Sequence, residues 1–403
     1  MNGTETILII NDYGCFNGGA AQVAISSAVG LAKRGYRVIY FCGVGPVDEE
    51  LRKSVSEVVC LEQYDILNAP SRLNAVLSGI WNRKSYAKMK ELIEKYKDDR
   101  LIVHIHGWSK CLSSSVVAAC SRAGIIPFIT VHDYFPVCPN GGFYNYKKNE
   151  ICNVKPISLN CLMCNCDSRS YPHKVWRCLR QFVQDKWIKS NMNIIPVYIS
   201  KFSQSHVEPY IKAKKSVFVQ NPIDVIGNYK VNTFENDTFI YIGRLSPEKG
   251  VDLLCKAVHM LHCKAIIIGD GSEREKLENE YSLEIEFTGW KKHSEMESYI
   301  KKARALVFPS KWYEGAPLTI PEMQSHGVPC IVPDNCAASE YIDDGSNGLI
   351  FKTGNVDSLA EKMKCCMDAD EKSRLFDTEN WRDIVITEDE HIEQLLNAYD
   401  ILL

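Results

Sequence analysis

Short apolar runs rich in Ile and Val alternate with amphipathic stretches almost from end to end of the chain. "TILIIND" leads into "GGAAQVAISSAVGLAKRG", and "YRVIYFCG" and "VVCLEQ" come next, before a long helical region from about Pro70 to Lys97. "RLIVHIHG", "PFITVHD" and "IIPVYIS" read as three further strands with helices between them. Their apolar residues run nearly continuously instead of alternating, as in parallel strands covered on both faces. The rhythm breaks at residues 135–173, a piece rich in Cys, Asn, Gly and Pro with no period, which reads as an inserted module. It restarts after the polar stretch "VFVQNPIDVIGNYKVNTFENDT". The strands "FIYIGRL", "KAIIIGDG", "EIEFTGW", "ALVFPS", "PCIVPD" and "GLIF" then alternate with helices such as 248–260, 293–303 and 318–326. The chain ends in an amphipathic helix, "DEHIEQLLNAYDILL". The pattern predicts an α/β protein of two doubly wound domains with a cleft between them.

Composition changes this picture little. The chain has 403 residues, 45% of them apolar and 24% charged, which suits a soluble globular protein of two or three domains. A net charge of −3 gives no nucleic-acid footprint. No apolar run approaches the length of a membrane span, and "TILIIND" has no basic flank or cleavage pattern, so the expected location is the cytoplasm. Seventeen cysteines are many for a reduced compartment. Many sit singly in apolar runs, such as Cys42, Cys60, Cys255 and Cys330, where a buried thiol acts as a small hydrophobe.

In an open α/β sheet, ligands bind beyond the carboxyl ends of the strands, so the residues just after each strand are the candidates. After the first strand, Gly18 and Gly19 open a helix whose N–H groups can face an anion or a hydroxyl-rich ligand; such a pair is also an ordinary turn. After "PFIT" come His132 and Asp133. After "FIYIGRL" comes "SPEKG", with Arg244 at the strand's end and Lys249 in the first turn of a helix. A lysine there opposes the helix macrodipole and needs a compensating anion. Two cations beside free N–H groups make a diphosphate site, with a solvated surface pair as the alternative. Gly269, Gly271, Gly289 and the adjacent Trp290 mark two more strand-to-helix turns where a nucleotide can approach the backbone. The stretch "PSKWYEGAPLTIPEMQSHGVP" places Glu314 and Glu322 around a stiff uncharged loop. The N–H groups from Gly315 through Ala316, Pro317 and Leu318 to Thr319 (the proline excepted) can bind phosphate or sugar oxygens. The two carboxylates are acceptors for sugar hydroxyls and a ribose diol.

These residues resemble the retaining GT-B glycosyltransferases of family 4. The E-x7-E spacing of Glu314 and Glu322, "GRLSPEKG", "GDG", "FTG" and "GVPCIVPDNCAASEYIDDGSNGLIF" fall in that family's order, while the first half rests on "GGAAQ" and "VHDYF". The resemblance implies a GT-B fold of two Rossmann-like domains facing across a cleft. Residues 1–221 would bind the acceptor, residues 222–381 would bind a nucleotide-sugar donor, and 382–403 would form a helix crossing back to the first domain. It implies that Arg244 and Lys249 hold the diphosphate, Glu322 the ribose and Glu314 the transferred sugar. His132 would line the reaction centre, Gly18 and Gly19 would approach phosphate or acceptor, and catalysis would need no divalent metal. "HDYFPVCPNGGFYNY", with a cysteine cluster after it, is similar to a bacterial subgroup that builds surface polysaccharides such as O-antigen. The implied reaction moves a sugar from a UDP- or GDP-sugar onto a glycan acceptor, lipid-linked in that subgroup.

The cysteine insertion departs from the simplest members of that family, and a basic helix follows it. Cys138, Cys152, Cys161 and Cys164 give C-x13-C-x8-C-x2-C, a spacing that hints at structural zinc, with reduced loop thiols as the alternative. "HKVWRCLRQFVQDKWIK" reads as a helix with Lys174, Arg177, Arg180, Lys186 and Lys189 interleaved with aromatics. It could rest on the anionic inner face of a membrane or pack on its own domain. A sugar-nucleotide epimerase and a zinc-organised nucleotide-sugar-binding protein without turnover stay open as other readings.

Overall fold

In the computed structural model, residues 5–223, 229–369, 373, 375 and 385–402 are described. The chain divides into two units: Met1–Gly142, Val154–Pro222 and Thr387–Leu403 form the first, and Phe143–Asn153 with Ile223–Ile386 the second.

The first unit runs β1 (Glu5–Tyr13), α1 (Gly19–Lys33), β2 (Arg37–Val44), α2 (Glu49–Ser54), β3 (Glu57–Cys60), α3 (Arg72–Ile80), α4 (Arg83–Lys95), β4 (Arg100–Ile105), α5 (Ser115–Arg122) and β5 (Phe128–Val131). The hairpin β6 (Tyr144–Asn145) and β7 (Glu150–Ile151) comes next in the chain but groups with the second unit, and the first resumes with α6 (Leu159–Met163), α7 (Tyr171–Asp185), β8 (Ile195–Tyr198), α8 (Lys201–Val207) and β9 (Val217–Phe218). The second unit contains β10 (Thr238–Ile242), α9 (Val251–Leu261), β11 (Lys264–Ile268), α10 (Arg274–Tyr281), β12 (Ile285–Gly289) and α11 (His293–Ile300). It continues with β13 (Ala303–Val307), α12 (Thr319–Ser325), β14 (Cys330–Pro333), β15 (Gly348–Phe351) and α13 (Val356–Asp368) before the terminal α14 (Glu388–Tyr399).

The first sheet has the order β3-β2-β1-β4-β5-β8-β9 and the second β12-β11-β10-β13-β14-β15, and their pairings are parallel. Both are Rossmann-like, with the order reversing between β1 and β4 and between β10 and β13. The unbroken apolar runs have a simple cause. In β1, Ile7 and Ile9 pack into one core and Leu8 and Ile10 into another on the opposite face. In β10, Phe239 and Tyr241 face one core and Ile240 the other. A strand buried on both faces has no polar side to alternate with.

Several elements differ from expectation. The helical region from Pro70 is two helices: the first ends at Ile80 with Trp81 as its C-cap, and Asn82 caps the next, its side-chain oxygen accepting from the N–H groups of Lys84 and Ser85, each at 3.1 Å. The helix expected from 248 starts at Val251, behind a 3-10 turn, Pro247–Lys249, and a left-handed Gly250. The segment Phe143–Asn153 groups with the second unit instead of the first; the Phe143 and Tyr313 rings lie 6.2 Å apart. The terminal helix packs on α1 in the first unit, where Ile392, Leu395, Ala398 and Tyr399 join the core beneath β1. The expected boundary at 381/382 lies outside the described residues.

Candidate functional site

Two constellations sit beyond the carboxyl ends of strands, one in each unit and each at the point where strand order reverses.

In the second unit, the loops after β10 and β13 meet. The chain can come this close because Gly250 has no side chain: a Cβ there would lie 2.0 Å from the Pro309 carbonyl oxygen. The N–H of Lys311 donates to the Glu248 carbonyl at 2.8 Å and fastens the two loops together. This contact brings Lys249 to Glu314, with Nζ donating to Oε1 at 2.7 Å. The same Oε1 accepts from Ser310 Oγ at 2.8 Å and Trp312 Nε1 at 2.6 Å, and Oε2 takes part in none of these bonds. The anion that Lys249 needs is therefore supplied in part by Glu314 itself. Lys249 also precedes the helix proper, so the macrodipole argument for it does not hold. Arg244 is the open member: its side chain is 62% exposed and makes a 3.0 Å ion pair with Glu248. Glu248 also accepts from Ser246 Oγ at 2.8 Å, which fixes its carboxylate.

Glu322 lies in the first turn of α12, half-buried, with Gly315, Ala316, Pro317, Leu318 and Thr319 leading into it; the Glu322 N–H bonds the Leu318 carbonyl at 3.2 Å. Gly269 and Gly271 serve the chain itself. A Cβ on Gly269 would stand 1.9 Å from the Gly243 carbonyl oxygen and one on Gly271 2.2 Å from that of Leu245. The loops after β10 and β11 are thus pressed together, and Leu245 N–H donates to the Asp270 carbonyl at 2.9 Å. Gly289 has a positive φ of 73° and Trp290 is exposed.

In the first unit, a cavity of about 110 Å³ opens beyond β1, β4 and β5, lined among others by Asp12, His106, Lys110, His132 and Asp133. Asn17 and Ala20, which flank Gly18 and Gly19, also line it. Gly18 caps α1 with φ 91°, a conformation that favours glycine. His132 Nε2 lies 3.1 Å from His106 Nδ1. Behind them His104 sits between the Tyr399 hydroxyl at 2.6 Å and Thr130 Oγ1 at 2.7 Å. Asp12 accepts three backbone N–H bonds, from Lys110, Cys111 and Leu112, at 2.7 to 2.9 Å. His106 Nε2 is buried on this wall with no hydrogen-bond partner among the described residues.

Burial holds His132 and His104 down to about 3, so both rings are neutral at pH 7. His391, on α14, is held at about 4 by burial and lies 2.8 Å from Ser27 Oγ. These depressed values predict acid sensitivity. The unfolded chain protonates such rings near pH 6.5, while the folded chain leaves His104 and His391 neutral down to about 3 and about 4. Stability is then fully present above pH 6.5 and falls as pH drops toward 4. At pH 5 each ring should have cost about 2 kcal/mol. Thermal unfolding at pH 7.5 and pH 5 should show a clearly lower melting temperature at pH 5, with His391→Gln shrinking the difference. A flat profile would contradict the assignment.

The sequence reading missed His104, His106, Lys110 and the loop residues Ser310 and Trp312. For the first two a signal existed: in "RLIVHIHG" the histidines stand two apart, which places both on one face of a strand. The expected cysteine site does not come together among the described residues. Among the described residues no group of three or more Cys, His, Asp or Glu side chains could hold a metal ion. Cys152 belongs to the second unit and Cys138, Cys161 and Cys164 to the first, and Cys161 Sγ instead receives a 3.3 Å bond from buried Lys174. The cations expected on α7 are divided: Lys174 and Arg180 are buried, Arg177 pairs with Asp167 at 2.7 Å and Lys189 with Asp185 at 2.8 Å, and Lys186 is exposed at the helix end, while Val175, Leu179 and Phe182 are exposed along it. Among the described residues no helix is long and apolar enough to cross a membrane.

Residues 230–380 match the family described as "Glycosyl transferases group 1". A UDP-Gal:alpha-D-GlcNAc-diphosphoundecaprenol alpha-1,3-galactosyltransferase of Escherichia coli is 24% identical over 308 residues, 71% of each chain. A glycosyltransferase of Methanocaldococcus jannaschii is 28% identical over 182 residues, 44% of this chain and 50% of its own. The chain spans about half the length of several of the curated relatives it matches. Among solved structures, Anabaena HepE in complex with UDP superposes with a TM-score of 0.69 at 15% identity, covering 98% of this chain and 100% of that one. The lipopolysaccharide outer core galactosyltransferase WaaB superposes at 0.64 with 16% identity, covering 99% and 100%. The fold is thus the GT-B fold of these enzymes, built from two Rossmann-like units.

Proposed function

We propose that this protein is a retaining glycosyltransferase of family 4 that moves a sugar from a UDP- or GDP-sugar to a glycan acceptor, lipid-linked, in bacterial surface-polysaccharide synthesis. The observation that carries the reading is the Lys249–Glu314 pair beside Arg244, at the reversal point of the second sheet and inside the segment that matches the family. The Escherichia coli galactosyltransferase, by its name, uses a UDP-sugar and a diphosphate-lipid acceptor, which supports both halves of the proposal.

The chemistry follows from the side chains. Departure of the nucleoside diphosphate builds negative charge, and Arg244 with the remaining N–H bonds of Lys249 stabilises it. A preorganised donor at such a site is worth about 3 kcal/mol in the transition state. Glu314 Oε1 is held by three donors, which aims Oε2 as an acceptor for a hydroxyl of the transferred sugar. Glu322 accepts from the ribose diol. His132 is neutral and poorly suited to act as a general base at pH 7, so its role is to hydrogen-bond a sugar hydroxyl. With fixed cations at the leaving group, catalysis is expected to proceed without a divalent metal.

The test is release of UDP or GDP from a panel of nucleotide sugars, with and without lipid-linked glycan acceptors and in excess EDTA. Release that requires acceptor and persists in EDTA is the expected result, with the donor's anomeric configuration kept in the product. Donor consumption without acceptor would favour an epimerase. No consumption under any condition would leave only a binding protein.

A further inference from the structure

A second cavity of the first unit, about 380 Å³, adjoins the one at His132 and shares Ser109, Lys110 and Phe135 with it. Its lining holds five cations, Arg72, Lys110, Arg169, Arg177 and Arg180, against one carboxylate, Asp65. Asp65 is already engaged by the N–H groups of Leu67 and Asn68, the Asn68 amide and the Tyr13 hydroxyl. Three of the cations crowd one ring: Arg180, Lys110 and Arg177 lie 4.9, 5.2 and 5.9 Å from the centre of Phe135. Arg177 is paired with buried Asp167 at 2.7 Å. Arg180 is only 7% exposed, stacks on Trp176 and donates to the Ser109 carbonyl at 3.1 Å. Neither it nor Lys110 makes an ion pair among the described residues. Like charges gathered in a concave wall repel unless an anion joins them; burial and both arginines push the Lys110 ammonium down, while Asp133 and Asp12 on the adjoining cavity draw it up.

The wall is built, not incidental. Trp176 Nε1 donates to the Val76 carbonyl at 3.0 Å, and a Cβ on Gly79 would meet the Trp176 ring at 2.6 Å, so α3 and α7 are locked together. The rim is apolar and open to solvent: Leu67 and Val76 line the cavity while 61% and 42% exposed. Leu73 and Leu77 on α3, and Val175 and Leu179 on α7, repeat at i and i+4 and are also exposed. Apolar stripes that bury nothing within their own unit mark a surface that meets something apolar.

We propose that this cavity binds the diphosphate of a lipid-linked acceptor, its oxygens against Lys110, Arg177 and Arg180 and its hydrocarbon chain on the rim of Leu67 and Val76. The glycan on that diphosphate then enters the adjoining cavity at His132. That the ligand is an acceptor rests on the transferase reading; that the site takes a diphosphate on a hydrocarbon chain does not.

Calorimetric titration of the full chain with farnesyl diphosphate, inorganic pyrophosphate and farnesol tests it without turnover. Farnesyl diphosphate should bind at least about tenfold more tightly than pyrophosphate, and farnesol should not bind. Lys110→Met and Arg177→Gln should each weaken farnesyl diphosphate about tenfold while leaving the affinity for UDP or GDP within about twofold. Arg177→Gln strips buried Asp167 of its ion-pair partner and can perturb folding, so the decisive variant is Lys110→Met, whose ammonium makes no ion pair among the described residues. Equal binding by wild type and Lys110→Met, or no binding by wild type, overturns the site. Pyrophosphate binding as tightly as farnesyl diphosphate overturns the lipid part. Intact binding here with no sugar transfer from any donor overturns the transferase reading and leaves the site in place.

Discussion

Replacing Lys249 with alanine should lower the affinity for UDP or GDP about a hundredfold and kcat/KM about a thousandfold. Two effects add. A charge-assisted bond to phosphate is lost, worth roughly 1.5–3 kcal/mol. Glu314, whose side chain is 11% exposed, also loses its cation and keeps only Ser310 and Trp312 as donors. An uncompensated carboxylate beside an incoming diphosphate repels it. This second effect makes a specific double variant informative: Lys249→Ala with Glu314→Gln should regain part of the nucleoside diphosphate affinity but none of the turnover, because Glu314 is also needed by the sugar. Arg244→Ala should cost less in binding, since a guanidinium 62% exposed is screened by water. Titration of UDP and GDP into the three variants reads all of this. Unchanged affinity in Lys249→Ala would remove the diphosphate from this site.

The strands were legible because the fold buries them on both faces. Ile7 to Ile10 serve two cores at once, so the run is apolar without alternation, and the same holds through β10 and β11. The positions of Arg244, Lys249, Glu314 and His132 at strand ends were legible for the same reason: once a strand is found, the loop at its carboxyl end must lie at the ligand-binding edge of the sheet. Features that depend on contacts far apart in sequence were not legible. Lys249 and Glu314 are 65 residues apart, and nothing local says that one neutralises the other. The glycines at 269 and 271 looked like ligand clearances, yet the clearance is for the Gly243–Leu245 backbone. The cysteine spacing could not reveal that Cys152 folds with the other unit. In α7 the cations looked solvent-facing because charge usually is; here Arg180 is buried on aromatic faces, and the apolar side is left outside.

The terminal helix should be indispensable to the first unit, although Thr387 comes after more than 160 residues of the second. Its side chains Ile392, Leu395, Ala398 and Tyr399 are each at most 6% exposed and share a core with Ile7, Ile9, Ala24, Ala28 and Phe128. Gly30 on α1 shows how tightly it seats: a Cβ there would lie 2.7 Å from Ile392. Polar contacts add to the packing, with Tyr399 bonding His104 and His391 placed between Ser27 and the Gln220 carbonyl. Fully burying a large apolar side chain is worth about 1.5–3 kcal/mol, and three of these four are large. Their sum is comparable to the roughly 5–15 kcal/mol by which a whole domain is stable. A chain ended after Ile386 should therefore lose the first unit's cooperative melt and expose its β1 core. Leu395→Ala should cost about 2–5 kcal/mol and Leu395→Met less than about 1.5 kcal/mol. Hydrogen exchange at Ile7–Ile10 reads the first unit separately from the second, so the loss can be assigned. If those amides stay as protected in the shortened chain as in the full one, the packing of α14 against α1 does not hold the first unit together.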